Sequence, residues 1–324
     1  MRAVMCKAFG PPESLVLEEV EDPKPGTGQI VLDIEACAVN FPDVLMIQDM
    51  YQFKPPLPFS PGAEVAGVVS AIGEGVEGVQ VGDRVLASPG FGGLAEKVAI
   101  PARSLIPVPD SIDSVHASSF LYAYGTSHYA LKDRANLQPG ETLLVLGAAG
   151  GVGLAAVELG AAMGATVIAA ASTDEKLEIC REHGAAMTIN YSTEDLKARV
   201  RELTGGVGAD VVYDPVGGKY SEPALRATAW EGRFLVIGFA AGEIPKIPLN
   251  LTLLKSCSVV GVFWGAFVGR EPKRHKDNVA ELMRWWQEGK LHPYVSSTYP
   301  LERAGEAIRE LADRKAKGKV VVTI

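Results

Sequence analysis

The stretch ETLLVLGAAGGVGLAAVELGAAMGATVIAAASTDEKLEIC, Glu141 to Cys180, decides the fold. Thr142 to Leu146 is a short apolar run that stops at a glycine, as a strand buried on both faces does. Gly147, Gly150 and Gly153 follow at a spacing of three, and Val152 to Met163 continues as a helix rich in alanine and leucine. After Gly164 a second apolar run, Thr166 to Ala171, supplies another strand. Strand, glycine turn, helix and strand within about 30 residues form a dinucleotide-binding unit. One glycine allows the tight turn, a second lets the backbone approach a pyrophosphate, and a third lets the helix pack on the sheet. The free N–H groups at the helix start face the phosphates. Glycine spacing alone also fits a ligand-free turn; the flanking strands and helix carry the reading.

The end of the second strand bears on which dinucleotide is bound. Selectivity for NAD usually rests on an acidic residue there, about 20 residues on, that binds the ribose 2′-hydroxyl. Here the strand ends Ala169-Ala170-Ala171-Ser172, and the next charges are Asp174, Glu175 and Lys176. A hydroxyl and a lysine without a terminal carboxylate suit a 2′-phosphate, so the expected cofactor is NADPH. Ser172 and Glu175 also have the spacing of a capping box for the next helix, and the two readings are compatible.

The 324 residues suffice for two domains. Hydrophobic residues make up 47% and charged ones 22%, ordinary for a globular protein, which removes disorder as a reading. Every long apolar run is interrupted by glycine or charge well before 18 residues, so no membrane span is expected. Met1 to Gly10 has no apolar signal-peptide core. Cys6, Cys37, Cys180 and Cys257 are scattered without a CxxC pair, which fits free thiols in a reducing cytosol. A net charge of −8 argues against non-specific binding to nucleic acid. The densest basic run, Arg314 to Lys319, reads as a solvated helix end.

Residues 1–123 are mostly β in texture, with strand candidates Gln29–Ala36, Val65–Val69, Arg84–Ala87 and Ala95–Ile100 separated by Pro- and Gly-rich turns. From about 124 the pattern alternates. Strands Met187–Ile189, Asp210–Tyr213, Arg233–Ile237 and Ser258–Phe263 join the first two, and helices Glu175–His183, Glu194–Leu203 and Tyr220–Ala229 separate most of them. Six alternating strands predict an α/β doubly wound parallel sheet with the cofactor at the strand C-terminal ends. Residues 265–324, with helices Lys276–Glu288 and Leu301–Ala312 and a closing strand Gly318–Ile324, are expected to rejoin the first domain. The domains are therefore expected at 1–123 plus 265–324, and at 124–264.

Several motifs in order carry a resemblance: Val39-Asn40-Phe41-Pro42-Asp43, Pro58 to Gly67 with its Gly62-Ala63-Glu64, Tyr124-Gly125-Thr126, Gly147 to Gly153, Asp214 to Gly218, and Gly318 to Val322. Over essentially its whole length the chain resembles the zinc-free quinone oxidoreductase (ζ-crystallin-like) branch of the medium-chain dehydrogenase/reductases. The resemblance implies a GroES-like β-rich catalytic domain into which a Rossmann domain is inserted. Zinc-dependent members of that superfamily have a cysteine three residues before an aspartate, and a Gly-His-Glu. Here Asn40 precedes Asp43 and Ala63 replaces the histidine, while Val85 to Glu96 has no cysteine. Catalytic zinc needs about three protein ligands, and His116, His128, His183, His275 and His292 show no ligand spacing. No metal is expected.

The resemblance implies cofactor contacts from Gly147, Ala149, Gly150, Gly151, Val152 and Gly153, and from Ser172, Lys176 and Tyr191 at the 2′-phosphate. Thr126, Gly238, Phe239, Ala240 and Asn250 are implied toward the nicotinamide and its ribose. Asn40, Tyr51 and Thr126 are expected to line the substrate pocket, with Tyr51 a donor to substrate oxygen. Asp43 either orients the Asn40 loop or the nicotinamide, or caps a helix starting at Val44. The leading expectation is NADPH-dependent, zinc-independent quinone reduction by hydride transfer. The alternatives are C=C reduction of enals, enones or enoyl-CoA thioesters, with Arg270, Lys273, Arg274 and Lys276 available for coenzyme A, and a non-catalytic NADPH-binding protein. An edge strand at Ser258–Phe263 is expected to pair two copies into a homodimer.

Overall fold

The computed structural model describes residues 1–324, which form two compact units: Met1–Tyr122 with Pro293–Ile324, and Ala123–His292. No helix is long and apolar enough to cross a membrane.

The first unit is built on the strand Gln29–Val39. It pairs antiparallel with Glu64–Ile72, Lys97–Pro101 and the C-terminal strand Lys319–Thr323. The sheet is extended by Val295–Pro300 beyond the C-terminal strand and by Arg84–Ala87 and Ile106–Pro107 beyond Glu64–Ile72. Ile30, Leu32, Val65, Leu94, Val320 and Val322 lie in its core. Each such burial stabilises by about 1.5–3 kcal/mol before entropy is counted.

Register matters more here than strand count. Val320 stands opposite Val39, and Glu64 opposite Ala38. Side chains two apart in a strand share a face. The same register therefore brings Lys319, Asn40 and Glu64 together at adjoining strand ends, although they are far apart in sequence.

The second unit holds a six-stranded parallel sheet. Its strands are Thr142–Leu146, Thr166–Ala171, Met187–Asn190, Ala209–Asp214, Thr228–Val236 and Ser258–Gly261, in the spatial order third, second, first, fourth, fifth, sixth. The doubly wound α/β expectation is met. The order reverses between the first and fourth strands, which pair directly, and a crevice at such a reversal is where this architecture binds ligands.

The segment 265–292, expected with the first domain, lies in the second unit. Its helices Trp264–Arg270 and Pro272–Gln287 carry the aromatic residues that hold it there. Phe267 stacks on Tyr129 at 4.1 Å, and Asn278 donates to Asp133 at 2.7 Å. A Cβ on Gly125 would stand 2.9 Å from the Trp264 ring. Helix texture alone does not say which sheet these side chains cover.

The basic run near the C-terminus also divides differently from its reading as a solvated helix end. The helix ends at Ala312, and Lys319 is the first residue of a strand with its side chain only 6% exposed. The chain turns into that strand at Gly318, whose φ of +63° suits glycine.

Candidate active site

The glycine turn occupies the C-terminal end of the first parallel strand, and the helix that follows runs Gly151–Ala162 with Gly150 as its N-cap. Gly147 has φ +57°, and a Cβ there would press on Val216 at 2.8 Å. A Cβ on Gly153 would sit 2.2 Å from the Gly147 carbonyl oxygen, so helix and turn pack backbone to backbone. Gly150 differs: its nearest neighbour to an added Cβ is Gly147 O, at 3.4 Å. One side of this turn is thus open where the backbone would meet a pyrophosphate, and the cradle fits a dinucleotide. Ser127 fixes the first helical turn by donating to Val152 O at 2.9 Å and sharing a 2.8 Å bond with the Tyr213 hydroxyl. Ala148 and Ala149 are buried.

At the ends of the second and third strands the expected 2′-phosphate residues adjoin one another. Tyr191 N donates to Ala171 O at 3.1 Å, and the Ser192 hydroxyl donates to Ser172 O at 2.9 Å. Ser172 and Lys176 are half-buried, and the Tyr191 ring lies against Tyr220 at 4.4 Å. The helix is Asp174–Glu182, and its N-cap is Thr173, whose Oγ1 accepts from Lys176 N at 3.3 Å. The capping box expected from Ser172 and Glu175 is replaced: the cap falls one residue later. That leaves the Ser172 hydroxyl outside the cap. Asp174 is engaged by Asn190 Nδ2 at 2.9 Å.

A third loop cluster stands at the ends of the fourth and fifth strands. Asp214, which sequence reasoning gave no role, organises it. Its Oδ1 accepts from Val216 N and Gly217 N at 2.8 and 2.9 Å, and its Oδ2 from the Ser221 hydroxyl at 2.6 Å. Burial raises its pKa against the pull of these donors. The segment Gly238-Phe239-Ala240 hangs on this loop through Gly238 N to Asp214 O, Ala240 N to Pro215 O and Ala241 N to Val216 O. Thr126 is half-buried on the helix Leu121–His128, and Asn250 is exposed at the start of the short helix Asn250–Lys255. All of these belong to the second unit.

The first unit contributes a buried polar cluster. Asn40 precedes the helix Phe41–Met46. Its Nδ2 donates to Ala38 O and to Glu64 Oε2, each at 3.2 Å, and its Oδ1 accepts from Lys319 Nζ at 2.6 Å. Ala38, Glu64 and Lys319 thus fix the orientation of the carboxamide from inside the unit. Glu64 is fully buried and also takes Lys319 Nζ at 3.1 Å and Tyr122 N at 2.8 Å. Asp43 sits in the first helical turn rather than before it. Its Oδ2 accepts from Asn40 N at 2.7 Å and its Oδ1 from Gly62 N at 3.1 Å, so it orients the Asn40 loop. Burial raises its pKa to about 6; the two backbone N–H groups and Lys319 pull the other way.

These charges are visible in the sequence as a Glu before Val65 and a Lys before Val320, each heading an apolar run. Only register reveals that they meet. No group of three or more His, Cys, Asp or Glu side chains is arranged to hold a metal, and the Glu64 carboxylate is in contact with an ammonium. All four cysteines are buried free thiols.

Tyr51 is half-buried and packs on the core of the first unit. The loop around it is apolar and exposed: Met50 is 64% exposed, Phe53 51% and Leu57 39%. Phe53 lies 5.9 Å from Phe91, which meets Phe59 edge-on. Charge on this loop is limited to Lys54, paired with Asp49 at 2.7 Å.

Residues 26–110 match the alcohol dehydrogenase GroES-like domain, and residues 151–286 match the zinc-binding dehydrogenase family. A quinone oxidoreductase-like protein 2 homolog of Nematostella vectensis is 42% identical over 99% of this chain and 88% of its own length. The chain is a quinone oxidoreductase-like member of the medium-chain dehydrogenase/reductases. Among solved structures, a mycobacterial protein complexed with NADPH is 33% identical with a TM-score of 0.94, covering 100% of both chains. Escherichia coli quinone oxidoreductase, also complexed with NADPH, is 29% identical with a TM-score of 0.93 over 100% of both chains.

Proposed function

We propose that this protein reduces quinones with NADPH by hydride transfer, without a metal. The observation that carries the reading is Tyr51, a hydroxyl set in an exposed apolar loop with Met50, Phe53 and Leu57. A flat, apolar acceptor with carbonyl oxygens suits that surface, and Tyr51 hydrogen-bonds the oxygen on which negative charge collects. Bound at the glycine turn, NADPH supplies two electrons as a hydride. Gly150 and the helix start at Gly151 and Val152 hold its pyrophosphate, while Ser172, Lys176 and Tyr191 hold the 2′-phosphate. Thr126 and the Gly238–Ala240 segment keep the nicotinamide end in place. The proton that completes the hydroquinone comes from solvent.

Of the four basic residues considered for coenzyme A, two have partners of their own: Lys273 pairs with Asp277, and Arg274 pairs with Glu271 and lies over the Phe267 ring. Turnover of quinones should therefore exceed that of coenzyme A thioesters in a direct competition. Thioesters turned over far better than free quinones and enones would move the reaction to C=C reduction. Cofactor binding without turnover of any of them would leave a binding protein. The edge strand Ser258–Gly261 is read as the site where two copies join.

A further inference from the structure

The helix Gly151–Ala162 carries one charged residue, Glu158, and buries it at 4% exposure. A carboxylate out of water is costly unless hydrogen bonds and charge compensate it. Here the compensation comes from three other segments of the second unit. Glu158 Oε2 accepts from the Tyr124 hydroxyl at 2.5 Å and from His292 N at 3.1 Å. Its Oε1 meets His183 Nδ1 at 2.5 Å. Of these three groups only His183 can bring a positive charge. Among the other charged side chains that line the adjoining cavity, Lys290 pairs with Glu288 at 2.7 Å and Glu182 has the same sign as Glu158.

Two of these ties lead to different parts of the cofactor site. Glu158 itself lies about two turns along the helix whose start is assigned to the pyrophosphate. Tyr124 stands two residues before Thr126 on the helix Leu121–His128. His183 is the C-cap of the helix Asp174–Glu182, whose first turn holds Lys176.

We infer that Glu158 is a positioning residue that locks the three cofactor-holding helices to one another, its Tyr124 arm fixing the nicotinamide end and its His183 arm the 2′-phosphate end. This rests on the assignment of NADPH to these helices under the proposed function. Short helices are rigid elements, so a contact that fixes one turn fixes the residues on the neighbouring turns. Burial, and then the carboxylate itself, push the Tyr124 phenol far up, so its hydroxyl keeps its proton and stays a donor. The Ser127 bond to Val152 O joins the same two helices one turn nearer the cofactor, and Glu158 braces them from behind.

The test separates the two arms. Tyr124→Phe removes one hydroxyl. With a quinone and saturating NADPH, kcat should fall about three- to tenfold, the range of one hydrogen bond, while the NADPH Kd from fluorescence titration changes less than about twofold. His183→Leu should do the reverse. It should weaken NADPH about three- to tenfold and NADH less than about twofold, with kcat at saturating NADPH retained. Glu158→Leu should show both losses. Glu158→Gln keeps an acceptor oxygen for Tyr124 and His292 and should restore kcat.

Losses that fall equally on kcat and Kd in both arm variants, as general loosening would give, overturn the inference, and so does the absence of any loss. The two arm variants carry the test alone if Glu158→Leu does not fold. A parent protein that binds no NADPH refutes the cofactor assignment and the inference together. A parent that binds NADPH but reduces no quinone or activated alkene refutes only the proposed activity; the affinity split at His183, which needs no turnover, still decides the inference.

Discussion

Lys319 Nζ lies 2.6 Å from Asn40 Oδ1, joining residues 279 positions apart in a site closed to solvent. The same ammonium meets Glu64 at 3.1 Å, with side-chain exposures of 6% and 0%. The C-terminal strand is thereby fastened to the loop that starts the first helix. Breaking a buried pair costs more than the pair contributes, because one charge is left without compensation. Lys319→Met should therefore lower unfolding stability by about 3–5 kcal/mol, and Lys319→Met with Glu64→Gln should recover most of the loss. Urea unfolding of the two variants checks this. A single variant as stable as the parent would remove the cluster from the account of stability.

Asp43 gives stability a definite pH dependence. Its folded-state pKa is raised to about 6 from the ordinary aspartate value of 3.8, chiefly by burial. The folded form therefore binds the proton more tightly than the unfolded form, and stability falls as pH rises between about 4 and 6. Above that window the cost is complete and on the order of 3 kcal/mol. Urea midpoints compared for the parent and Asp43→Asn should draw together as pH is lowered from 7 to 4 in favour of the parent. A difference that does not move with pH would show that Asp43 does not titrate in this window.

The proposed function assigns Lys176 the choice between the two nicotinamide cofactors. Lys176→Ala should weaken NADPH by about tenfold or more and leave NADH nearly unchanged, since only NADPH loses a charge-assisted phosphate contact. Fluorescence titration with both cofactors gives the comparison. Equal loss for both would place the 2′-phosphate elsewhere.

The edge of the parallel sheet predicts association. Ser258–Gly261 pairs on one side with Thr228–Val236 and is last in the sheet order. Val259 is 46% exposed and Phe263 57%. A two-fold axis would let two such edges pair and hide each other. Light scattering after gel filtration should give a dimer mass for the parent and a monomer mass for Val259→Lys. A parent that stays monomeric at all concentrations removes the interface.

Local pattern made the second unit legible and left parts of the first opaque. Thr142–Leu146, Gly147–Gly153 and Thr166–Ala171 form one contiguous unit, so periodicity and glycine positions report it directly. Its helix Gly151–Ala162 begins one residue before the expected Val152. Thr173 rather than Ser172 caps the next helix, because both are competent caps and only the strand length chooses. The partners of Asn40 were illegible for a different reason: its pairing with Lys319 and Glu64 is set by strand register, which no local pattern reports.

The most direct measurement is the initial rate of NADPH oxidation at 340 nm with a benzoquinone or naphthoquinone, after exhaustive chelation and with Tyr51→Phe in parallel. The account predicts rapid oxidation that chelation leaves intact and that Tyr51→Phe lowers about tenfold or more. Oxidation abolished by the chelator, or unaffected by loss of the Tyr51 hydroxyl, would contradict it.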